Sequence, residues 1–185
     1  MMPEISLNIL DVAENSTKAG AKHVRITVDA NFLSDRLTVF IGDDGCGMTP
    51  EQVNRVTDPF FTSRTTRKVG LGVPFFKYAA ESTGGSFDIS STPGVGTEVT
   101  AVFVLSHIDR MPLGDINATM HMLIVYHPDT EFVYTYRYNE KLFVLDTEQF
   151  REILGNIPFD SPEVSAYIME YLTENKLETD GGAVY

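Results

Sequence analysis

Between residues 5 and 43 the spacing of apolar side chains changes once, at Gly20. Before it, Ile5, Ile9, Val12, Ser16 and Ala19 recur at steps of three and four, the spacing of one helix face. A second row on the same helix, Asn8, Asp11, Asn15 and Lys18, is polar. After it, Val24, Ile26 and Val28 alternate, as do Leu37, Val39 and Ile41, the pattern of half-buried strands. Gly20 suits the C-cap of a helix over 3–20, and the polar turn around Ser34 and Asp35 joins the strands. Such an order demands a helix packed on a sheet, with a carboxylate, two amides and an ammonium beside the buried stripe.

The next 60 residues repeat the theme. "TPEQ" is a helix start, with Thr49 as N-cap, Pro50 first and Gln52 at the capping-box position; this helix ends near Thr57. Residues 58–69 have no clean period and read as a loop. "GLGVPFFKYAAEST" is a helix opened by glycines, with Pro74 in its first turn, and "GSFDISS" and "TEVTAVFVL" form a hairpin about "TPGVG". Residues 1–105 therefore predict an α+β two-layer sandwich, a mixed or antiparallel sheet with helices on one face.

Pro and Gly among charges in 106–115 predict a linker. Beyond it, "HMLIVYH", "FVYTYRYN" and "KLFVLDT" predict strands, then "TEQFREILGN" and "SPEVSAYIMEYLTENK" predict helices, the second opened by Ser161 and Pro162. "ETDGGAVY" is expected to fray. Phe132, Tyr134, Tyr136 and Tyr138 share one strand face, read first as core and second as a docking face. Up to residue 106 there are 12 acidic and 9 basic residues; from 107 onward there are 14 and 5. This asymmetry supports a separate small acidic β/α domain over 116–185, suited to a basic partner surface.

The net charge of −12 argues against non-specific nucleic-acid binding. No apolar run reaches the roughly 20 residues of a membrane span. The N-terminus carries no signal-peptide pattern, and one cysteine, Cys46, excludes an intrachain disulfide. A cytoplasmic protein is expected. No residue cluster has metal-ligand spacing.

Three glycine clusters fall in the first region: "DDGCGM" ending a strand, "GLGV" opening a helix and "GVGT" in a hairpin. Each alone marks a turn. Asp43 stands where a strand ends, followed by glycines that let backbone approach a planar ligand. The helix start after Gly70 offers N–H groups to phosphate, and Arg64, Arg67 and Lys68 supply cations nearby.

In their order these segments resemble the GHKL superfamily, whose Bergerat-fold nucleotide domain occurs in sensor histidine kinases, type II topoisomerases, MutL-type ATPases and heat-shock chaperones. "AENSTKAGA" is similar to its N box, "DDGCGM" to G1, "DPFFTSR" to the F box, "GLGV" to G2 and "GVGTEVT" to the closing glycine-threonine motif. The resemblance implies ATP or ADP with Mg²⁺. Asn15 would ligate the metal, Lys18 would contact phosphate, and Asp43 would accept from the adenine amino group, with Gly45 and Gly47 allowing close approach. Arg64 and Lys68 would belong to a lid over 58–69, which is short, lacks internal glycines and is expected to move little. Gly70 and Gly72 would cradle phosphates, and Thr97 or Thr100 would sit beside adenine. Met48, Phe61 and Leu71, inside the matched boxes, complete the implied nucleotide-binding set.

Hydrolytic members place a glutamate four residues before the N-box Asn; Asp11 holds that place here, shorter by one methylene. It reads as a weakened catalytic base, an orienter of Asn15, or a surface acid. "ENSTKAGAKHVRITV" looks like the MutL branch, whereas Lys18 and "DPFFTSR" look like a sensor kinase. The chain leaves no room upstream for a phospho-accepting helix, and His23, His107, His121 and His127 lack an acceptor's helical setting. An acceptor is therefore expected on a partner protein, as for stand-alone GHKL serine kinases that act as anti-sigma factors. The expected function is a Mg-ATP-binding regulator, a kinase acting in trans or an ATP-responsive switch. One alternative is a MutL- or chaperone-like ATPase coupling hydrolysis to dimerisation, which leaves a homodimer open. Another is an ATP- or redox-sensing accessory subunit of a metabolic enzyme. Cys46 reads first as a space-filling residue and second as a redox gate.

Overall fold

The computed structural model describes residues 4–58, 72–155 and 157–185. Its elements run α1 (Ile5–Lys18), β1 (His23–Asn31), β2 (Arg36–Asp43), α2 (Pro50–Thr57), α3 (Gly72–Glu81), β3 (Ser86–Thr92) and β4 (Gly96–Val104). Then come α4 (Ile116–Tyr126), β5 (Glu131–Tyr138), β6 (Lys141–Asp146), α5 (Thr147–Leu154) and α6 (Pro162–Asp180). The strands form one sheet in the order β3-β4-β2-β1-β5-β6. β1 and β5 are parallel, and the other neighbours are antiparallel. This is the mixed sheet of an α+β sandwich.

Alternation decides the layers. Val24, Ile26 and Val28 of β1, Leu37, Val39 and Ile41 of β2, and Ala101 and Phe103 of β4 are buried on the face where α1 and α3 pack. The same face continues through Phe132, Tyr134 and Tyr136 of β5 and Phe143 and Leu145 of β6, against α4 and α6. The aromatic row of β5 is therefore core. The Tyr136 hydroxyl donates to Asp180 of α6 at 2.6 Å, and Lys176 neutralises that buried carboxylate from one helical turn earlier.

Three expectations for the second half are corrected. "HMLIVYH" is the body of helix α4, not a strand, because Asp115 caps the helix by accepting from Ala118 N–H at 2.9 Å. An apolar run of that length satisfies either period, so its cap decides. Residues 116–185 build no sheet of their own: β5 and β6 extend the first sheet through the parallel β1–β5 pairing. The C-terminus is docked rather than frayed, with Leu113 N–H donating to Tyr185 O at 2.7 Å and the Tyr185 ring against Phe32 and Tyr138.

The expected linker also has structural work. Glu4, at the N-cap of α1, makes no side-chain cap. Instead Ile5 and Ser6 donate their N–H groups to the carbonyls of Pro112 and Leu113, at 3.0 and 2.8 Å. Segment 106–115 thus satisfies donors that a helix start leaves unpaired. The helix forecast over 3–20 is shorter at both ends: α1 runs Ile5–Lys18, Ala19 is its C-cap, and Gly20 follows at φ +77°. Thr49 and Gln52 form the forecast capping box of α2.

Candidate functional site

Helix α1, the end of β2, β4 and the turn at 44–48 enclose a cavity of about 250 Å³. Its walls are mostly aliphatic, from Val12, Ile41, Val56, Val73, Ile89 and Val99. Asn15, Ser16, Asp43, Cys46, Gly47, Met48 and Thr97 also face it. The helix contributes because its polar and apolar rows meet there: Ser16 is 3% exposed, whereas Asn15 is exposed.

Asp43 is the last residue of β2 and pairs in register with Val24 of β1 and Thr97 of β4. Its two carboxylate oxygens are held separately. Ser16 Oγ donates to Oδ2 at 2.6 Å, and Gly45 N–H donates to Oδ1 at 2.9 Å. Each oxygen retains a lone pair, so a fixed acceptor faces an apolar cavity. Ser16 is a site residue that the sequence reading assigned to the anchoring stripe. Its signal was a hydroxyl in an otherwise apolar row.

A second chain of hydroxyls closes the β3–β4 side. Ser91 Oγ donates to Gly96 O at 2.9 Å and accepts from Met48 N–H at 2.8 Å. With that proton used, Thr97 Oγ1 donates to Ser91 across 2.9 Å and keeps its lone pairs. Of the two threonines suggested for this role, Thr97 faces the cavity. Thr100, three residues along β4, points to the opposite face of the sheet.

The turn at 44–48 is pinned from several sides. Asp44 accepts from Lys22 and His23 N–H at 2.7 and 2.9 Å and pairs with His23 Nδ1 at 2.7 Å. This hydrogen bond raises the imidazole's pKa above its ordinary value. Burial would raise the Asp44 carboxyl, but the His23 and Lys22 bonds outweigh it and leave it below the usual range. Cys46 N–H reaches Ala19 O at 3.0 Å, and Gly94 N–H reaches Cys46 O at 2.8 Å. Gly47 has φ +65°, and a Cβ there would lie 2.0 Å from Thr92 O, so only glycine fits. The Cys46 thiol is free and exposed.

Among the described residues four predicted ones stand off the cavity wall: Gly45 and Gly72, and the side chains of Lys18 and Asp11. Lys18 Nζ lies 3.5 Å from Glu14 Oε2, and Glu14 Oε1 is bonded by His127 Nε2 at 2.7 Å. Burial would raise the Glu14 carboxyl, but the His127 hydrogen bond and the charges of His127 and Lys18 pull it down. Asp11 is half-buried at the start of α3, where a Cβ on Gly72 would meet its Oδ2 at 2.6 Å. Its charge therefore sits at the positive end of that helix. Phe61, Arg64, Lys68, Gly70 and Leu71, with the rest of the expected lid from 59 onward, lie outside the described residues. Among the described residues no group of three His, Cys, Asp or Glu forms a metal cluster, and no helix is long and apolar enough to cross a membrane.

A family model described as histidine kinase-, DNA gyrase B-, and HSP90-like ATPase matches residues 3–107. The chain belongs to that family. Residues 3–107 are its histidine-kinase-like ATPase domain, an ATP-binding type, and α4 to α6 lie beyond the match. Sensor protein SrrB of Staphylococcus aureus is 38% identical over 101 residues, which are 52% of this chain and 17% of that protein. A protein of Shewanella frigidimarina named as a sensor protein is 31% identical over 109 residues, 57% of this chain and 16% of that one. The chain thus spans about a sixth of the length of these relatives. Among solved structures, the N-terminal domain of a DNA repair protein superposes with a TM-score of 0.53 at 12% identity, over 77% of this chain and 52% of that one. That likeness is one of fold.

Proposed function

We propose that this protein binds Mg-ATP in the α1–β2–β4 cavity and acts as a regulator of a partner protein. The observation that carries the reading is the Asp43 carboxylate, held by Ser16 and Gly45 in an aliphatic cavity. A fixed acceptor there takes the adenine amino group, and it repels the carbonyl that guanine carries at the same position. The aliphatic walls suit the faces of a purine.

The residues present fit the nucleotide at its base end. Asn15, exposed at the rim, offers an amide oxygen of the hard kind that Mg²⁺ takes alongside phosphate oxygens. When bound, the ion neutralises phosphate charge. Asn15 holds it, Asp43 and Thr97 orient the base, and Ser16 keeps Asp43 in place.

Two fates for the terminal phosphate follow from this reading: transfer to an acceptor on another protein, as the sensor-protein similarity favours, or retention in an ATP-responsive switch. The Asp11–Gly72 contact sets the acid at the start of α3, off the base-binding wall, and the label experiment below decides between the fates. A dimerising ATPase is the reading to be tested against both. The acidic second half suits a basic protein surface, and a single exposed thiol suits a reducing, cytoplasmic setting.

Calorimetry with Mg-ATP tests the site: Asp43→Asn is expected to weaken binding at least tenfold, and unchanged affinity overturns the assignment. Terminally labelled ATP then separates the fates. Label on a co-purified protein indicates transfer, free phosphate indicates hydrolysis, and intact bound ATP indicates the switch.

A further inference from the structure

Strand β6 closes one margin of the sheet, with β5 as its neighbour. In an antiparallel ladder, alternate residues of such a strand aim their N–H and C=O groups away from the neighbour. For residues 141–145 those groups have no hydrogen-bond partner among the described residues. The side chains are also unusual for a margin. β3, at the opposite side of the sheet, turns Ser86, Asp88 and Ser90 outward, polar residues of the kind that deter a further strand. β6 turns out Leu142 and Val144, 48% and 45% exposed, while Phe143 and Leu145 lie on the buried face.

The surroundings of this margin carry one sign of charge. Residues 140–180 hold ten acids and three bases. Arg151 and Lys176 are engaged by Glu131 and Asp180, which leaves Lys141 as the remaining cation. Helix α6 packs on β6 and places part of the negative charge beside it. One flank of α6 faces α4, where His121 Nε2 meets Ser165 Oγ at 2.9 Å. On the far flank Tyr167, Tyr171, Glu174 and Glu178 recur at steps of four, three and four. The tyrosine rings pack on Phe150 of α5, and the two glutamates stand exposed beyond them. Because α4 packs on β5, the flank away from it is the one toward the open margin of β6.

A strand added here meets a different chemistry on each of its faces. Side chains on one face lie against Leu142 and Val144. Those on the other pass Phe143 and Leu145 toward Glu174 and Glu178. Apolar residues suit the first face. Lys or Arg suits the second, since the stem covers apolar surface and the head reaches the carboxylates. A second copy of the chain would bring the same acids to the margin and is opposed by charge. We propose that β6 is a docking edge for an extended segment of a partner protein in which apolar residues alternate with Lys or Arg. The inference rests on the reading of this chain as a regulator of a partner protein. Its test uses no nucleotide, so its failure is distinguishable from failure of the ATP site.

The test titrates the full chain with a seven-residue peptide of alternating Lys and Val, blocked at both ends and long enough to span the six residues of β6. One control replaces every Lys by Glu; the other replaces the central Val by Pro, which lacks a backbone donor. Saturable binding of the lysine peptide with a Kd near or below about 1 mM is expected, by NMR shifts or calorimetry, with both controls weaker by about tenfold or more. The double variant Glu174→Gln, Glu178→Gln and the single variant Val144→Thr, all at exposed positions, are each expected to weaken the lysine peptide about tenfold. Circular dichroism checks that these variants fold. Equal affinity for the lysine and glutamate peptides, tolerance of the proline, indifference to both variants, or no saturable binding overturns the proposal. So does a dimer of the chain in sedimentation velocity that Val144→Thr dissolves.

Discussion

Ser16 of α1 donates its hydroxyl to the carboxylate of Asp43 across 2.6 Å, joining the first helix to the end of the second strand. The bond is made where the helix is buried, so its orientation is set by packing rather than by solvent. Ser16→Ala would leave that carboxylate oxygen short of a donor. A hydrogen bond to a charged group contributes about 1.5–3 kcal/mol, so ATP affinity is expected to fall about tenfold or more. Calorimetry measures this, with Ser16→Thr as the variant that retains the hydroxyl.

Gly72 and Asp11 form a second coupled pair. Gly72→Ala brings a Cβ to 2.6 Å from Asp11 Oδ2 and 2.8 Å from its Cβ, inside a packed helix–helix contact. Overpacking of this kind costs about 1–3 kcal/mol. Asp11→Gly in the same chain, which removes both the carboxylate and the Cβ, should return much of that loss. Urea denaturation of the two single variants and the double variant gives the interaction energy directly. Additive losses would show that the helices separate rather than press on Asp11.

The His23–Asp44 pair predicts a pH signature. His23 has its pKa raised above 6.5, so its contribution is fully present below that value and is lost as pH rises through the higher folded value. Asp44 has its pKa lowered below 3.8, so its contribution is present above that value and is lost as pH falls through the folded one. The pair therefore stabilises the turn at 44–48 most between about pH 4 and 6.5. Urea midpoints of wild type and His23→Gln should converge as pH rises through 7 and beyond, and a pH-independent gap would refute the coupling. The effect is small, because both side chains are substantially exposed.

At the far end of the molecule, Tyr185→Ala removes a ring from Phe32 and Tyr138 and a partner from the Tyr136 hydroxyl. Burial holds the Tyr136 and Tyr185 phenols far above their ordinary pKa, so both are neutral donors at any working pH. A loss of about 1–3 kcal/mol is expected, seen as a melting temperature lower by several degrees. No change would mean that the last residues are loosely held.

Much of the first half was legible because its periods are long and its punctuation is strong. Thr49, Pro50 and Gln52 announced α2, and the alternation of 24–28 and 37–41 set the buried face. Asp43 and the choice of Thr97 or Thr100 came from family resemblance, not from spacing, and the register that sets Asp43 opposite Thr97 leaves no mark in either segment's own sequence. Ser16 was not legible as a site residue, since its partner is 27 residues away on another element. The sequence hides α4 because "HMLIVYH" is short and apolar throughout and its cap, Asp115, stands in a charged stretch with Pro and Gly. It hides the single sheet because charge asymmetry reports on surfaces, and the β1–β5 pairing is made by backbone groups that leave no compositional trace.

That pairing has a consequence for how the chain is made. β1 meets β5 from His23↔Glu131 to Ala30↔Tyr138, a separation of 108 residues. Until the ribosome has delivered β5, the nascent ATPase domain presents a bare strand edge, the kind of template that recruits stray strands from other chains. A fragment cut at the end of the family match would carry that edge permanently and should be far more prone to precipitate than the full chain. Long-range parallel closure is also slow to find. The acidic second half is thus, among other things, the lid on the first half's sheet, and its charge keeps the nearly finished molecule apart from its neighbours while the closure is found.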